Sequence, residues 1–463
     1  MKATLTSHQE EIHDAIVGKI VDNIYSPFKG EVEDHFISLS GAAGTGKSFI
    51  TAQIVNELLI TLYGRDKIDD NGICVTAPTH KAVSVIRDML EKYNISVDCK
   101  TIQSFLAIKP INDYKTGEER YVVDRRRKHL SQATLLIVDE SSMVSHEIYM
   151  YLVEAFKRNQ FNTVLFIGDS YQLLPVNSLD NPVFDLKEQY ELTEVVRQAT
   201  DSNIIKLATL FRERLKSQDF IPIQQLVQNV KEANSNDIEF FTSRELFIED
   251  FHKNRNWEQE NNIITSFANK DVESFNKVIR EQSWLDNGVD NPVQFLQGDK
   301  IRFKSAYDSQ VKVSTFRKNT PIYSNGEEVT IREAKLITHQ TLNISFWECR
   351  VYGRNDNDFF RVVDSKSIDN FNKLLNEYVH LAKTAEHQYS GHYWKYYFDI
   401  KSKFADIQYI YASTIHKLQG STYDTANIDL TSIANNQQIS NDLKYRLAYV
   451  AITRARQNIK ILL

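Results

Sequence analysis

The chain has 463 residues, of which 42% are hydrophobic and 25% charged, and its formal net charge is −6. This length predicts about two to four domains, and the composition is too apolar for a disordered chain. An acidic net charge excludes a polybasic, histone-like binder but allows an enzyme that confines positive charge to one channel. Three scattered cysteines form neither a disulfide framework nor a metal-ligand spacing. Without a signal-like start or a membrane-length apolar run, the sequence predicts a soluble, cytoplasmic protein with no membrane partner.

The first predicted element is an amphipathic helix over residues 7–24, and the pattern Ser7-x-x-Glu10 predicts a capping box at its start. Short apolar runs then alternate with helical patterns, which indicates a parallel α/β core. These predicted strands lie at 36–40, 73–77, 135–138 and 163–167.

A phosphate-binding loop is the most specific signal in the chain. The stretch "GAAGTGKS" has P-loop spacing and stands between a predicted strand and a predicted helix, the context that this motif requires. Backbone N–H groups of such a loop surround phosphate oxygens, and the helix start adds partial positive charge. Lys47 would reach the β- and γ-phosphates, and the Ser48 hydroxyl would bind Mg²⁺. The predicted nucleotide-binding residues of the loop are Gly41, Gly44, Thr45, Gly46, Lys47 and Ser48.

A P-loop site also needs a carboxylate that binds the metal ion, and a pair of acids can supply it. Asp139 and Glu140 directly follow the apolar run at 135–138. Asp139 would hold Mg²⁺, directly or through water, and Glu140 would polarise the attacking water as general base. Two adjacent acids after a strand are common, so this assignment depends on the P-loop in the same chain.

The strand predicted at 163–167 is followed by Gly168-Asp169, with Gln172 four residues beyond the glycine. A polar side chain at this edge can sense the γ-phosphate and pass that state onward, which is the role predicted for Gln172. The alternative, a strand followed by an ordinary polar turn, stays open on these residues alone.

Polar side chains follow another predicted strand and recur in the next loop. Thr79 and His80 come after the strand at 73–77, and Thr101 and Ser104 lie in "KTIQSFL". Open α/β sheets bind ligands at the strand–helix junction, where hydroxyl groups can bond phosphate and a ring can stack on a base. In the plainer interpretation, Thr79 only caps a helix and His80 only begins it.

Two regions interrupt the α/β pattern. In residues 106–130, "YKTGEERY" reads as a turn between two extended runs and predicts an inserted β-hairpin, while "RRRK" (125–128) has the alternative of a solvated basic turn. Between 285 and 403, strand-like alternation and the turn signal Asn325-Gly326 predict a small SH3-like barrel, with a helical stretch at 366–390. A second α/β core is predicted to start near residue 200 and to resume at about 404.

Two other P-loop classes fit less well. The guanine-specificity motif needs one residue between its Lys and Asp, but Lys270 and Asp271 are adjacent in "ANKDVES", which excludes a GTPase. Small-molecule kinases are usually much shorter, and nothing in the sequence supplies a lid.

Nine short motifs occur in an order that is highly specific as a set. They read "LTSHQEE", "GAAGTGKS", "APTHKAV", "TIQSFL", "VDESSM", "GDSYQLLP", "LTEVVRQ", "STIHKLQGSTYD" and "YVAITRARQN". This set resembles superfamily 1 helicases, in particular the B branch with its RecD-like and Dda-like members. The resemblance covers most of the chain from about residue 5 to 463 and is weakest at 106–130 and 285–400.

The resemblance implies an α/β fold of two RecA-like P-loop motor domains with an inserted β-hairpin pin and an inserted SH3-like β module. The first motor domain (1A) would cover residues 1–199 and contain the pin (1B) at 106–130. The second (2A) would comprise 200–284 and 404–463, separated by the accessory module (2B) at 285–403.

The resemblance also assigns nucleotide-binding roles. Gln9 would read the adenine edge, Gly420 would lie toward the γ-phosphate, and Arg197 and Arg454 would reach that phosphate from the second motor domain. Alone, each arginine would read as a surface salt-bridge partner. The family often has an acidic residue two positions after Gly420, and here that position is Thr422.

Further residues would contact DNA. Tyr121 or Val123 of the hairpin would stand at the fork and separate the strands. A single strand would be gripped by phosphate contacts and stacking faces without sequence readout. The residues predicted to bind it are Thr79, His80, Thr101, Ser104, Thr414, His416 and Lys417.

The sequence therefore predicts an ATP-dependent 5′→3′ DNA helicase that uses ATP and Mg²⁺, acting in phage or bacterial replication, recombination or repair. Expected partners are single-stranded and fork DNA, with single-strand-binding protein or replisome components, and the chain is expected to be a monomer. The alternative from another class is a strand-stimulated ATPase that remodels nucleoprotein without separating strands. A non-enzymatic P-loop module is a third option, against which Lys47, Glu140 and the two arginines count.

Overall fold

The computed structural model describes residues 4–26, 30–64, 72–124, 131–175, 178, 180–195, 202–231, 237–254, 261–307, 323–340 and 343–463. The strands are β1 (Phe36–Gly41), β2 (Ile73–Ala77), β3 (Asp98–Thr101), β4 (Ile108–Asn112), β5 (Glu119–Val123), β6 (Leu135–Val138), β7 (Thr163–Gly168), β8 (Glu188–Leu192), β9 (Ile238–Phe241), β10 (Asn262–Ser266), β11 (Lys300–Phe303), β12 (Glu328–His339), β13 (Ile344–Val351), β14 (Phe360–Val363), β15 (Ile407–Tyr409), β16 (Ala412–Thr414), β17 (Tyr423–Asp429) and β18 (Ala455–Leu462). The helices are α1 (Ser7–Tyr25), α2 (Lys47–Tyr63), α3 (His80–Lys92), α4 (Ile102–Phe105), α5 (His146–Lys157), α6 (Asn203–Ser217), α7 (Ile223–Lys231), α8 (Arg244–Lys253), α9 (Asn269–Asp286), α10 (Ile368–Thr384), α11 (His387–Lys401), α12 (Ile415–Leu418), α13 (Thr431–Ala434) and α14 (Asn441–Ile452).

The chain divides into two compact units. The first unit consists of Met1–Lys109, Val123–Asn269 and Ser413–Leu463, and it contains two mostly parallel sheets with their helices. The second unit consists of Pro110–Val122 and Lys270–Ala412. Among the helices that the structure describes, none has the length and apolar character needed to cross a membrane.

The first sheet of the first unit has the strand order β3-β2-β6-β7-β1-β8, and its pairs are parallel. Every residue of β2, β6 and β7 is buried, as expected for parallel strands that helices cover on both faces. Helices α1 and α2 contribute apolar side chains such as Ile16, Ile50 and Leu58 to this core. The strands predicted at 36–40, 73–77, 135–138 and 163–167 are confirmed.

The start of α1 differs from the prediction by one residue. Thr6 is the N-cap, and its hydroxyl oxygen accepts a hydrogen bond from the N–H of Gln9 at 3.2 Å. The Gln9 side-chain oxygen in turn accepts from the N–H of Thr6 at 3.1 Å, which completes a capping box. The box predicted for Ser7 and Glu10 is therefore wrong, because Thr6 has the extended backbone of a cap and glutamine serves at the third helical position as well as glutamate.

The second sheet of the first unit has the order β16-β10-β17-β18-β9, and β10, β17, β18 and β9 pair in parallel. Helices α6, α7 and α14 pack on it around buried aromatic side chains, including Phe211, Tyr445 and Tyr449. A second α/β core is therefore present in the region where the sequence predicts one.

The second unit contains the two-stranded hairpin of β4 and β5 and a five-stranded sheet of order β14-β13-β12-β11-β15 with antiparallel pairs. Phe303 stacks on Tyr323 in the core of this sheet, with ring centroids 4.4 Å apart. The helical stretch predicted at 366–390 is longer than expected, since α10 ends at Thr384 and α11 continues to Lys401. Strand β15, just past the predicted boundary at 403, pairs with β11.

Candidate functional site

The phosphate loop joins β1 to α2 at the carboxyl edge of the first sheet. Gly44 and Gly46 both have a φ of 83°, a conformation that glycine adopts without strain. Lys47 begins α2, and its ammonium group donates to the carbonyl oxygens of Gly41 at 2.5 Å and Ala42 at 3.1 Å. A Cβ on Gly41 would lie 2.7 Å from the Thr45 hydroxyl oxygen, so glycine is needed there as well.

Gln9 lies against the phosphate loop. Its side-chain N–H donates to the carbonyl oxygen of Thr45 at 2.9 Å, and the residue is 3% exposed. The same side chain closes the capping box of α1 with Thr6, so its amide group joins the start of the chain to the loop. The structure thus brings Gln9 next to the predicted nucleotide-binding residues, and its contact with adenine stays a prediction.

The two acids follow β6, as predicted. The N–H of Asp139 donates to the carbonyl oxygen of Thr76 at 2.8 Å, which holds the end of β6 beside β2. Glu140 has a φ of 50°, an uncommon conformation for a residue with a side chain, and this turns the chain sharply after the strand. Burial first, and then the neighbouring charge of Glu140, raise the pKa of Asp139 well above its ordinary value, while Lys47 opposes them. This crowded carboxyl group is a suitable oxygen ligand for a hard cation, which would offset its charge.

Gln172 lies in a network with the loop at 413–424. The Gln419 side-chain N–H donates to the Ser142 hydroxyl at 3.0 Å, and the side-chain oxygen of Gln172 lies 3.4 Å away. All three residues are buried. Gln419 therefore joins the loop after α12 to the segments that follow β6 and β7.

Two residues of α14 contact the same region, and the sequence prediction did not identify them. Arg446 donates from Nη1 to the carbonyl oxygens of Ser170 at 2.7 Å and Gln172 at 2.8 Å. The Tyr449 hydroxyl donates to Asp169 Oδ2 at 2.6 Å and accepts from the N–H of Ala43 at 3.3 Å. No sequence signal distinguished them, because α14 also carries Asp442, Lys444 and Tyr445 and is amphipathic.

The two predicted arginines differ in what the structure describes. Arg197 lies outside the described residues. Arg454 is 5% exposed, and its guanidinium donates to the carbonyl oxygens of Val450 and Ser421 at 3.0 and 3.2 Å. Its side chain therefore lies beside the loop that contains Gly420. Contact with a γ-phosphate stays a prediction for both arginines.

Three threonines predicted to bind a strand stand at strand ends. Thr79 follows β2 and caps α3, where its hydroxyl oxygen accepts the N–H of Ala82. Thr101 ends β3 and caps α4 in the same way, accepting the N–H of Ser104. Thr414 ends β16 and precedes α12. The capping role considered for Thr79 is thus observed, and it leaves room for a contact with phosphate because a hydroxyl group that accepts one hydrogen bond can also donate one.

The remaining predicted strand-binding residues lie in the same loops. His80 and Lys417 are exposed, whereas His416 is partly buried, with its ring centroid 6.1 Å from that of Phe267. Burial lowers the pKa of His416, so this ring is neutral at physiological pH. Ser104 lies on α4, one helical turn beyond Thr101.

Gly420 lies next to both the predicted strand-binding residues at the start of α3 and the predicted catalytic acid Glu140. It has a φ of 74°, and a Cβ placed on it would lie 3.4 Å from Ala82 Cβ and 3.8 Å from a carboxyl oxygen of Glu140. Ala82 is in the first turn of α3, which starts at His80. Nearby, Lys81 donates to the Tyr423 hydroxyl at 3.1 Å. The loop at 413–424 is therefore adjacent both to the start of α3 and to the acid predicted as general base.

The departure at Thr422 has a visible local role. Its hydroxyl oxygen accepts from Arg456 at 2.9 Å, and its carbonyl oxygen accepts from the Asn261 side chain at 2.9 Å. Thr422 thus anchors the end of the loop within the second core.

Tyr121 and Val123, the two candidates for the fork, are both on β5. Each is partly buried. The turn that joins β4 to β5 carries Tyr114 and Gly117. The structure has a two-stranded hairpin where the sequence predicts the pin, and both residues stay candidates for the fork.

Comparison with known proteins gives family matches at both ends of the first unit. Residues 27–178 match the AAA domain family, and residues 409–461 match the UvrD-like helicase C-terminal domain family. The first range contains the phosphate loop and the acids, and the second contains the loop at 413–424 and Arg454.

Similar proteins occur among viruses. The ATP-dependent DNA helicase Dda of Enterobacteria phage T4 is 27% identical over 453 residues, which covers 92% of this chain and 94% of that protein. The uncharacterized protein R530 of Acanthamoeba polyphaga mimivirus is 26% identical over 86% of this chain and 90% of its own length. Among solved structures, that of the Pif1 helicase from Candida albicans covers 99% of this chain and 95% of its own, with 15% identity and a TM-score of 0.43.

Proposed function

We propose that this Dda-like chain of superfamily 1B is an ATP-dependent 5′→3′ DNA helicase, which moves along single-stranded DNA and unwinds duplexes. Its similarity to the phage T4 helicase extends over 92% of the chain, which is more than the two α/β cores alone comprise. The two cores are the RecA-like motor domains of this enzyme.

The observation that carries the proposal is the position of the loop at 413–424. Gln419 contacts Ser142 and lies beside Gln172, and Gly420 lies beside Glu140, all at the nucleotide side. Thr414 and His416, in the same short loop, belong to the residues proposed to hold the strand. A loop that touches both ligands can transmit the state of the nucleotide to the strand, which an ATP-driven translocase requires.

Hydrolysis uses residues of both cores. Lys47 would exchange its present carbonyl partners for the β- and γ-phosphates, and Glu140 would orient and activate the attacking water. Arg197 and Arg454 would stabilise the transition-state charge when the cores close on ATP, an effect worth about 10³–10⁵ in rate for such arginines. Because Arg454 belongs to the second core, hydrolysis would depend on closure.

Mg²⁺ fits the oxygen-rich site formed by the phosphate loop and the segment after β6. Ser48 and Asp139 would hold the ion, which supplies charge neutralisation of the phosphates when bound. Asp139 is suited to this role because burial and Glu140 leave its charge poorly compensated.

Strand binding is assigned to loops at the carboxyl edges of both sheets. Hydroxyl groups at the starts of α3, α4 and α12 would donate hydrogen bonds to phosphate oxygens, and the exposed ring of His80 is available for stacking. Such contacts do not read base edges. We therefore assign binding that is independent of sequence.

The two insertions have separate roles in this proposal. The β4–β5 hairpin is the pin that separates the strands, with Tyr121 or Val123 at the fork. The antiparallel sheet of β11 to β15 is the SH3-like module that, with α10 and α11, supports the pin. The partners are single-stranded and fork DNA, single-strand-binding protein or replisome components are expected at the fork, and the chain acts as a monomer in the cytoplasm, in replication, recombination or repair.

The proposal is tested by comparing duplexes that carry only a 5′ single-stranded tail or only a 3′ tail. We expect ATP-dependent unwinding of the 5′-tailed duplex alone, measured by strand release. Lys47→Ala is the control, since it removes the phosphate-binding ammonium group and should abolish hydrolysis and unwinding while sparing strand binding.

Each other outcome has a distinct meaning. Unwinding of the 3′-tailed duplex alone would overturn the direction of movement. Strand-stimulated hydrolysis without unwinding of either duplex would favour the alternative, an ATPase that remodels nucleoprotein. Full ATPase activity of Lys47→Ala would overturn the site itself.

A further inference from the structure

The hydroxyl group of Tyr449 lies between two parts of the nucleotide site. Tyr449 belongs to α14 of the second core and is 1% exposed. Its oxygen accepts the N–H of Ala43, inside the phosphate loop, and its proton is donated to the carboxylate of Asp169, directly after β7. Both partners belong to the first core. One phenol group thus joins three segments that are distant in sequence.

The direction of these hydrogen bonds follows from the chemistry of the groups. Burial, and then the negative charge of Asp169, raise the pKa of Tyr449 well above its ordinary value, so the phenol keeps its proton. A neutral phenol donates once and can accept at the same time, whereas a backbone N–H only donates. The chain of bonds therefore runs from Ala43 through Tyr449 to Asp169, and phenylalanine in this place would leave both partners without it.

A second residue of α14 holds the same turn. Arg446, almost one helical turn before Tyr449, donates to the carbonyl oxygens of Ser170 and Gln172. Asp169 Oδ1 accepts the N–H of Tyr171, which fixes the carboxylate within the turn. Helix α14 is therefore docked on residues 169–172 by side chains, and any separation of the cores must break these bonds together with the bond to Ala43.

We propose that Tyr449 is a positioning residue for ATP hydrolysis, which holds the Ala43 amide of the phosphate loop in place only while α14 is docked on residues 169–172. This inference rests on the proposed helicase function and deepens it. The arrangement makes the order of the phosphate loop depend on contact between the cores, independently of the arginines. One helix, α14, thus contacts both Gln172, through Arg446, and the phosphate loop, through Tyr449.

Tyr449→Phe tests the inference, because it removes the hydroxyl group and keeps the ring. We expect kcat of strand-stimulated hydrolysis to fall about tenfold, with a change in KM for ATP of less than about twofold. The physical reason is that several loop amides and Lys47 bind the ground state, whereas the order of each amide matters most as charge develops in the transition state.

Tyr445→Phe is the matched control. Tyr445 is on the same helix and is also 1% exposed, and its hydroxyl likewise accepts one backbone N–H and donates to one carbonyl oxygen, both of Ile221. Those partners belong to the second core. Both variants should lose a similar amount of thermal stability, but Tyr445→Phe should keep kcat and KM within about twofold of the wild type.

The outcomes separate this inference from the function on which it rests. If the wild type hydrolyses ATP with strand stimulation and Tyr449→Phe keeps its kcat, the positioning role is overturned and the proposed function stands. If both variants lose kcat equally, the effect belongs to general loosening of α14, and the inference is overturned as well. A wild type without strand-stimulated hydrolysis would overturn the proposed function and, with it, this role of Tyr449.

Discussion

Asp139 is held in an environment that disfavours its ionised form. Burial and the charge of Glu140 raise its pKa, so its ionised form destabilises the folded protein when no cation is bound. The sign follows from linkage: the folded state binds the proton more tightly than the unfolded state. The free energy of unfolding therefore falls as the pH rises above 3.8, the ordinary value, and falls until the folded-state pKa is passed.

We predict that Asp139→Asn stabilises the protein in the absence of Mg²⁺ and nucleotide while it abolishes hydrolysis. The neutral amide avoids the cost of a buried, crowded charge, so the gain should be larger at pH 8 than at pH 5. An increase in Tm of roughly 1–2 °C at pH 8 would correspond to about 1 kcal/mol, because the shift becomes smaller as the chain becomes longer. Thermal unfolding of both proteins at the two pH values measures this.

The two possible contradictions are separate. A lower Tm of Asp139→Asn at pH 8 would mean that the carboxylate makes a net stabilising contact. Retention of hydrolysis would remove Asp139 from the predicted metal ligands.

At this scale, the sequence predicted residues whose chemistry is tied to a motif and missed those defined by a tertiary contact. Lys47, Asp139 and Gln172 could be found because spacing after a strand places them at one sheet edge. Arg446 and Tyr449 could not, because in an amphipathic helix an arginine four residues after Asp442 reads as a surface ion-pair partner and a tyrosine beside apolar residues reads as a core position.

Among the elements, the hairpin of β4 and β5 has a turn that depends on a neighbouring helix. The Tyr114 ring packs on Phe398 of α11, with centroids 5.8 Å apart. Gly117, with a φ of 77°, lies so close to Trp394 that a Cβ would be 2.4 Å from the indole ring. Position 117 therefore requires glycine for two reasons: its backbone has a positive φ, and Trp394 occupies the space that a Cβ would need.

We predict that Gly117→Ala reduces unwinding several-fold and leaves strand-stimulated ATPase activity unchanged. The added methyl group would push the hairpin turn away from α11 and displace Tyr121 and Val123, which are proposed to stand at the fork. The matched control is Gly326→Ala, since Gly326 has a φ of 80° but open space around it. This control contains the backbone strain without the clash, and it should unwind like the wild type.

This prediction is tested by measuring the rates of strand release and of ATP hydrolysis on the same fork substrate. Equal unwinding by Gly117→Ala and Gly326→Ala would show that support by α11 is not needed. If replacement of residues 113–120 by a short turn also leaves unwinding unchanged, the assignment of the hairpin as a pin is wrong.

Elements with strong local signals were predictable, and their ends were less so. The buried strands of the first sheet were found because uninterrupted apolar runs between turn signals have few alternatives. The capping box was misplaced by one residue, because Thr6 and Ser7 are both good caps and only the backbone conformation distinguishes them. The break between α10 and α11 was missed, since the stretch around Ala385 contains neither glycine nor proline.

For the whole molecule, the acidic net charge and the assigned loops limit how a strand can be bound. The residues proposed to hold it include one lysine, Lys417, and two histidines, of which His416 has a pKa lowered by burial. The remaining residues of this set are hydroxyl-bearing. Because few positively charged side chains would neutralise phosphates, few counterions would be released from the strand when it binds.

We predict a shallow salt dependence of strand affinity. Each neutralised phosphate contributes a slope of about −0.7 to log K against log salt on single strands, so we expect a total of about −1 to −2. Affinities for homopolymers of thymine and of adenine should agree within a few fold, because no base edge is read. Fluorescence anisotropy with labelled oligonucleotides from 50 to 200 mM salt would test both statements.

A slope steeper than about −4 would contradict the assignment and indicate a separate basic surface. The arginine-rich run at 125–128, which lies outside the described residues, would then be the first candidate. A large difference between the two homopolymers would instead contradict sequence-independent binding.

The presence of insertions between the α/β segments was predictable, because the hydrophobic pattern of the sequence changes where they occur. Alternating strand patterns after residue 285 differ clearly from the α/β rhythm on either side. What the sequence could not provide is the pairing of distant segments, such as Gln419 with Ser142, because no local pattern encodes which loops meet.

The order of strands in the second sheet also matters while the chain is being made. Strand β18 pairs with β17 on one side and with β9 on the other, and Ile459 is opposite Ile238. Ribosomes add about 5–20 residues each second, so β9 and its apolar helices wait roughly 10–40 s for the strand that covers them. Until then the first part of this core has an unpaired edge beside exposed apolar side chains. Expression in cells should therefore be sensitive to chaperone supply and to temperature.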